Sequence, residues 1–271
     1  MRYSVRSWLA GAGAAGAVLA MVAFGQAGTA SAAPAAAVVW RAGTPSAAYV
    51  PPDHDLRYGD HGPAVRSVQR RLNQLRYYAG PVDGKYGPDL EEAVWAFKEV
   101  QGLPMRASTN SLITAAFRHD LISPRQPKAL VPKGGPDRIE VNLSEQVLVL
   151  YQHGKPGLIV HVSSGGGYYY PCPGDASESC GPAVTPDGNY KALAFMPGWV
   201  QVPLGEMYNP VFFIGRAYAI HGDIPVPWYP ASHGCIRVWM DVATWLHKDV
   251  RIGTTHIYVR GKAPYQLQYF G

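Results

Sequence analysis

The chain has 271 residues, 24 Lys and Arg against 19 Asp and Glu, and a formal net charge of +5. Its basic residues are scattered along the sequence, which excludes the clustered cationic face of a nucleic-acid binder and leaves only tolerance of an anionic envelope. The length suffices for two modest domains or one large one.

The first 32 residues read as a secretory signal peptide. Arg2 and Arg6 supply positive charge, Trp8 to Phe24 is an apolar run diluted by glycine, and Ala30-Ser31-Ala32 is a small-x-small cleavage site. The run is short for a membrane-spanning helix, and the first hundred residues contain no cysteine to carry a lipid. Removing residues 1–32 takes away two arginines and no acids, so the charge falls from +5 to +3. Secretion across the cytoplasmic membrane to the cell wall or beyond is the expectation. Residues 33–54, rich in Ala and Pro without periodicity, read as a linker.

Residues 55–120 predict a small three-helix domain. Val65, Val68, Leu72 and Leu75 fall on one face of a helix over 64–75. Pro81 to Gly87 is a turn. The next helix has Leu90, Ala93, Val94, Phe97 and Val100 as its apolar stripe, with Asp89 and Glu92 spaced as a capping box. A third runs from about Thr109 to Phe117. Four prolines and the Gly134-Gly135 pair make 121–136 a second linker.

From 137 to 260 the period changes to short β-type runs between Gly/Pro turns, at 138–143, 147–151, 158–162, 211–214, 217–220 and 256–259. Such spacing predicts a β-rich sandwich or barrel. One helix interrupts it, with Asp241 as N-cap and Val242, Trp245, Leu246 and Val250 facing inward. The fold class is therefore α+β multidomain. The tail, 261–271, carries no readable signal.

The cysteines are three: Cys172, Cys180 and Cys235. In an oxidising compartment an odd count leaves one thiol over. Cys172 and Cys180 share a turn-rich loop and are the natural pair, which isolates Cys235. That residue lies in Ala231-Ser-His-Gly-Cys-Ile-Arg-Val238, with His233 two residues before it, and a second polar segment, Ile220-His-Gly-Asp223, ends a predicted strand. An exported chain that keeps one thiol beside glycine and histidine is easier to explain by reactivity than by packing. An unperturbed cysteine is mostly protonated at neutral pH, so a nucleophile needs a neighbouring base. His221 and His233 both qualify on sequence grounds, since residues two apart in an extended segment share a face. Gly234 lets the chain turn so that its amide and that of Cys235 can meet a developing oxyanion. His221, His233 and Cys235 do not have the number or spacing of a structural zinc set, and no metal or other cofactor is expected. Ser-x-x-Lys and Lys-Thr-Gly elements are absent, which excludes the penicillin-binding type of serine acyl-enzyme.

Two resemblances follow from these residues. Leu56 to Val65, Val68-Gln69, Leu72, Val82 to Gly87 and Ala93 to Phe97 resemble a peptidoglycan-binding module, weakened at Gly102 to Ala107, where a second Asp-Gly turn is usual. His221-Gly222 followed by Ser232-His-Gly-Cys-Ile-Arg237 is similar to the active-site signature of the L,D-transpeptidases, supported by Ile139 to Leu143, Gln146 to Tyr151, Val162 to Gly165 and Thr185 to Tyr190. Tyr168 to Tyr170 and the 172–180 loop stand out as insertions. The resemblance implies a β-sandwich with Cys235 as nucleophile at the base of a cleft, His221 as proton carrier oriented by the Gly222 carbonyl, and His233 on the substrate side. It also implies an acyltransferase that cross-links peptidoglycan stem peptides through a Cys235 thioester, with a role in wall biogenesis and cell shape. Ser232, Arg237, Tyr208 and Asn209 are the candidate substrate contacts. Stem peptides and glycan would be its partners and carbapenems its inhibitors, acting on a monomer. The alternatives are an L,D-carboxypeptidase, with water as acceptor, and a non-catalytic wall-binding protein.

Overall fold

The computed structural model describes residues 49–264. The signal peptide, most of the first linker and the end of the tail lie outside the described residues.

Three helices form first: α1 (Pro63–Gln74), α2 (Pro88–Gln101) and α3 (Ala115–Asp120). In α1 the apolar face Val65, Val68 and Leu72 is buried, and Gln69 is buried with it. The Gln69 amide accepts from Gly84 N at 2.8 Å and donates to Asp83 at 2.9 Å, which fixes the turn before α2. Pro88 starts α2 and Gly102, at φ 71°, ends it in the left-handed conformation that glycine favours.

The expected capping box does not form. Gly87 is the N-cap of α2 and no side chain caps it; Asp89 instead accepts from the indole Nε1 of Trp239 at 2.7 Å, and Glu92 is buried. The third helix also starts later than expected. Thr114 caps it through Phe117 N, while the Thr109 and Asn110 carbonyls accept from the Lys98 ammonium and Ile113 pairs with Leu56.

Twelve strands follow: β1 (Arg138–Asn142), β2 (Val147–Gln152), β3 (Lys155–His161), β4 (Tyr169–Cys172), β5 (Asp175–Pro182), β6 (Gly188–Lys191), β7 (Ala194–Phe195), β8 (Trp199–Val202), β9 (Gly205–Ile214), β10 (Tyr218–Gly222), β11 (Ile236–Val238) and β12 (His256–Arg260). One sheet has the order β3-β2-β1-β12-β6, a second the order β11-β10-β9-β7 with β8 on β9, and β4-β5 is a separate hairpin. The inner faces of the two large sheets share a core in which Ile139, Val141, Leu148 and Leu150 meet Val211, Phe213, Ile220, Ile236 and Val238. That is a sandwich. The helix α4 (Met240–Leu246) packs beside it, with Trp239 as N-cap in place of the expected Asp241, whose carboxylate accepts from the Tyr78 hydroxyl at 3.3 Å.

The period-2 alternation of β2 explains how the helices attach. Leu148 and Leu150 point into the sandwich, while Val147, Val149 and Tyr151, with Ile159 of β3, enter a second core together with Val68, Leu72, Tyr77 and Phe97. A strand covered on both faces reads as an uninterrupted apolar run, which is what Val147 to Tyr151 is. The proline-rich segment 121–136 is pinned as well. Arg125 and Gln101 exchange two hydrogen bonds, and the amides of Leu130 and Val131 donate to the buried Glu140 carboxylate, itself paired with Arg138 at 2.7 Å.

Candidate active site

Strands β10 and β11 run parallel with Ile220 opposite Ile236 and His221 opposite Arg237. The 232–238 segment alternates: Ser232, Gly234, Ile236 and Val238 are buried, and His233, Cys235 and Arg237 are partly open. Period 2 therefore puts His233, Cys235 and Arg237 on the side that His221 occupies across the ladder. All four line one cleft of about 440 Å³. Its walls are the β4-β5 hairpin, through Tyr170, Pro173 and Cys180, and the β8-β9 hairpin, through Val202, Leu204 and Met207.

The Cys235 thiol sits 3.7 Å from the Ala217 carbonyl and 3.9 Å from the Met207 sulfur. Burial pushes its pKa up; a backbone hydrogen bond from Ala219 and the Arg237 charge draw it back down, and Asp223 opposes them. His221 is buried, and its Nδ1 lies 2.9 Å from the Gly222 carbonyl. A carbonyl only accepts, so Nδ1 carries the hydrogen and Nε2 keeps its lone pair. Burial also lowers the His221 pKa, so the imidazole is held neutral. Burial thus disfavours the charged form of both groups, the thiolate of Cys235 and the imidazolium of His221.

His233 is placed differently. The edges of Tyr168 and Tyr170 meet its ring at 5.5 and 4.8 Å, each at 75°. The apparent insertion is therefore a clamp on one wall of the cleft, and the Cys172–Cys180 disulfide closes the hairpin that carries Tyr170.

Several expectations change. Ser232 borders the cleft, but its hydroxyl is spent inside the loop: it donates to the Cys235 carbonyl at 2.5 Å and accepts from Gly234 N at 3.0 Å. It is a clamp of the turn. The same bond takes the Gly234 amide, which cannot then serve an oxyanion. Gly234 is needed for another reason: at φ 139° a Cβ there would lie 2.6 Å from the Tyr218 ring and 2.8 Å from the Val184 carbonyl. Tyr208 and Asn209 do not line the cleft. Asn209 is buried, accepts from Gly198 N at 2.7 Å and donates to the Ala243 carbonyl, while Tyr208 packs in the sandwich core and against Trp199. Arg237 does line the cleft, with its guanidinium 2.8 Å from the Asp223 carboxylate.

Thr185 and Gly165, in the sequence only the ends of resembling segments, also shape the site. Thr185 accepts from Gly165 N at 2.9 Å and donates to the Gly234 carbonyl at 2.7 Å, tying two glycine-rich loops together. Among the described residues no cluster of three His, Cys, Asp or Glu has the geometry to hold a metal.

Residues 61–105 match the peptidoglycan-binding domain family and residues 136–259 the L,D-transpeptidase catalytic domain, and the chain belongs to the L,D-transpeptidase family. The crystal structure of the L,D-transpeptidase from Xylanimonas cellulosilytica is 30% identical, with a TM-score of 0.69 over 78% of this chain and 100% of that one. That of the L,D-transpeptidase from Stackebrandtia nassauensis is 17% identical, with a TM-score of 0.43 over 77% and 96% of the two chains. No curated protein matches the sequence.

Proposed function

We propose that the protein cross-links peptidoglycan by cysteine acyl transfer, after export to the wall. The observation that carries this reading is the pairing in one cleft of the Cys235 thiol with His221, whose Nδ1 is committed to the Gly222 carbonyl. As a stem tetrapeptide enters, the thiol proton passes to His221 Nε2 and sulfur attacks the carbonyl of the third, diamino-acid residue. The C–N bond to the terminal D-alanine breaks, and the imidazolium returns the proton to the departing amine. An amine from a second stem then attacks the thioester, yields its proton to His221 and displaces sulfur, which is reprotonated. Of the two amides expected to meet the oxyanion, Gly234 is occupied, which leaves that of Cys235.

Incubating the mature protein with disaccharide tetrapeptide and weighing the products tests this. A cross-linked dimer lacking one D-alanine is the expected product. Tripeptide alone makes the enzyme a carboxypeptidase, and unchanged substrate overturns acyl transfer altogether.

A further inference from the structure

Residues 161–166, the end of β3 and its continuation, form a template for the loop that carries Cys235. Ser163 Oγ donates to the Tyr229 carbonyl at 2.7 Å, and the Ser164 carbonyl accepts from the amides of both Ala231 and Ser232 at 2.9 Å. Past the cysteine, Ser163 exchanges two backbone hydrogen bonds with Arg237, at 3.1 and 3.0 Å. The first rung is His161, whose Nε2 donates to the Pro227 carbonyl at 3.0 Å.

The other ring nitrogen of His161 leaves the sandwich. Its Nδ1 is 2.8 Å from Oε1 of Glu99 on α2, and Trp95, one turn earlier on that helix, meets the ring edge-on at 5.3 Å. Both partners are buried, so water offers neither a substitute. Nε2 faces a carbonyl and must carry a hydrogen, which leaves one proton shared between Nδ1 and the carboxyl. Burial raises the Glu99 pKa well above the carboxylate range and lowers that of His161, and both directions favour the neutral pair, with the acid donating to the imidazole.

We propose that Glu99 of the helical module is a positioning residue for the sandwich's chemistry: through His161 it holds the Pro227–Ser232 segment in register and so sets the Cys235 loop. The helical module is on this view part of the catalytic apparatus. The inference rests on the acyl-transfer reading for its turnover readout, but thiol alkylation reads it separately.

The test uses the full mature chain, assayed below each variant's unfolding temperature. Glu99→Leu removes the partner of Nδ1 and is expected to slow both turnover of disaccharide tetrapeptide and alkylation of Cys235 by iodoacetamide on the order of tenfold to a hundredfold, the scale of small misplacements in an active site, with KM little changed. Glu99→Gln, whose amide can still donate to Nδ1, should stay close to wild type. Should Glu99→Leu fail to fold, Glu99→Leu/His161→Phe replaces a buried polar pair by apolar groups, often neutral for folding, and should show the same loss. Either disruptive variant folded with wild-type turnover and alkylation overturns the proposal. If the wild type is alkylated yet turns over no stem, while Glu99→Leu is alkylated slowly, acyl transfer fails and the positioning role stands. On the wild type itself, the Ala231 and Ser232 amides should exchange hydrogen no faster than the amides of α2; loop amides that open far more readily while α2 stays protected would also overturn it.

Discussion

His221 and Arg237 face each other across parallel β10 and β11, and the Arg237 guanidinium reaches past the ladder to Asp223, 2.8 Å away. Arg237 and Asp223 therefore act on both groups between which the proposed mechanism moves a proton. Arg237 lowers the pKa of Cys235 and of His221, and Asp223 raises both. Removing Arg237 leaves the carboxylate unopposed.

The first prediction concerns pH. On the proposed mechanism Cys235 reacts only with His221 neutral, and burial lowers that imidazole, so the acid limb of kcat/KM should fall below the ordinary histidine value of about 6.5. Arg237→Met should move the limb to higher pH and slow alkylation at pH 7, because the Asp223 carboxylate then acts unopposed on the thiol and the imidazole. An acid limb that stays put or moves down in Arg237→Met is incompatible with this account.

A second prediction separates the histidines. A carbapenem presents a strained acyl carbonyl, and the mature protein should gain one drug mass at Cys235, with none on Cys235→Ala. His221→Ala should slow acylation on the order of a hundredfold to ten-thousandfold, the usual worth of a positioned general base. His233→Ala should cost much less, because its ring is held by Tyr168 and Tyr170 at the wall. Equal losses from the two would reverse their roles.

Third, the Cys172–Cys180 bridge should matter to substrate and not to folding. Among the described residues, none of the β4-β5 hairpin belongs to either large core, yet Tyr170, Pro173 and Cys180 line the cleft. Cys172→Ser/Cys180→Ser should keep the wild-type melting temperature and alkylation rate, and raise KM for the stem peptide severalfold as the wall loosens. A large fall in melting temperature would show that the hairpin is structural.

Fourth, Glu92 should make stability depend on pH. It is buried on α2, one carboxyl oxygen has no hydrogen-bond partner among the described residues, and burial pushes its pKa up to about 8. A carboxyl raised on folding contributes fully below its unfolded value of about 4.3, and that contribution is lost as pH rises through about 8. Glu92→Gln should therefore flatten the decline between pH 5 and 8 and raise the melting temperature more at pH 8 than at pH 5. Parallel curves for the two proteins would show that Glu92 does not titrate in this range.

Much of the site was legible because it is local. The odd cysteine, the short spacing of Cys172 and Cys180, and the strict alternation through Ser232 to Val238 are properties of neighbouring residues, and neighbours constrain one another whatever the rest of the chain does. Helices α1 and α2 and the strands of the sandwich core were legible for the same reason, since apolar period survives any packing that buries one face.

Tertiary structure decided what the polar side chains do. Asp89 and Asp241 sit at helix starts and read as caps, but each crosses to the other part of the molecule, Asp89 to Trp239 and Asp241 to Tyr78, over separations of 150 and 163 residues. Ser232 and Gly234 look available to a substrate until the turn folds and each becomes the other's partner. The same holds for His161, which in sequence is one residue of a β-type run and in the fold stands between Glu99 and Pro227. A hydrogen-bonding group takes whichever partner satisfies it once water is gone, and that partner is set by which surfaces meet, a property the local sequence does not contain.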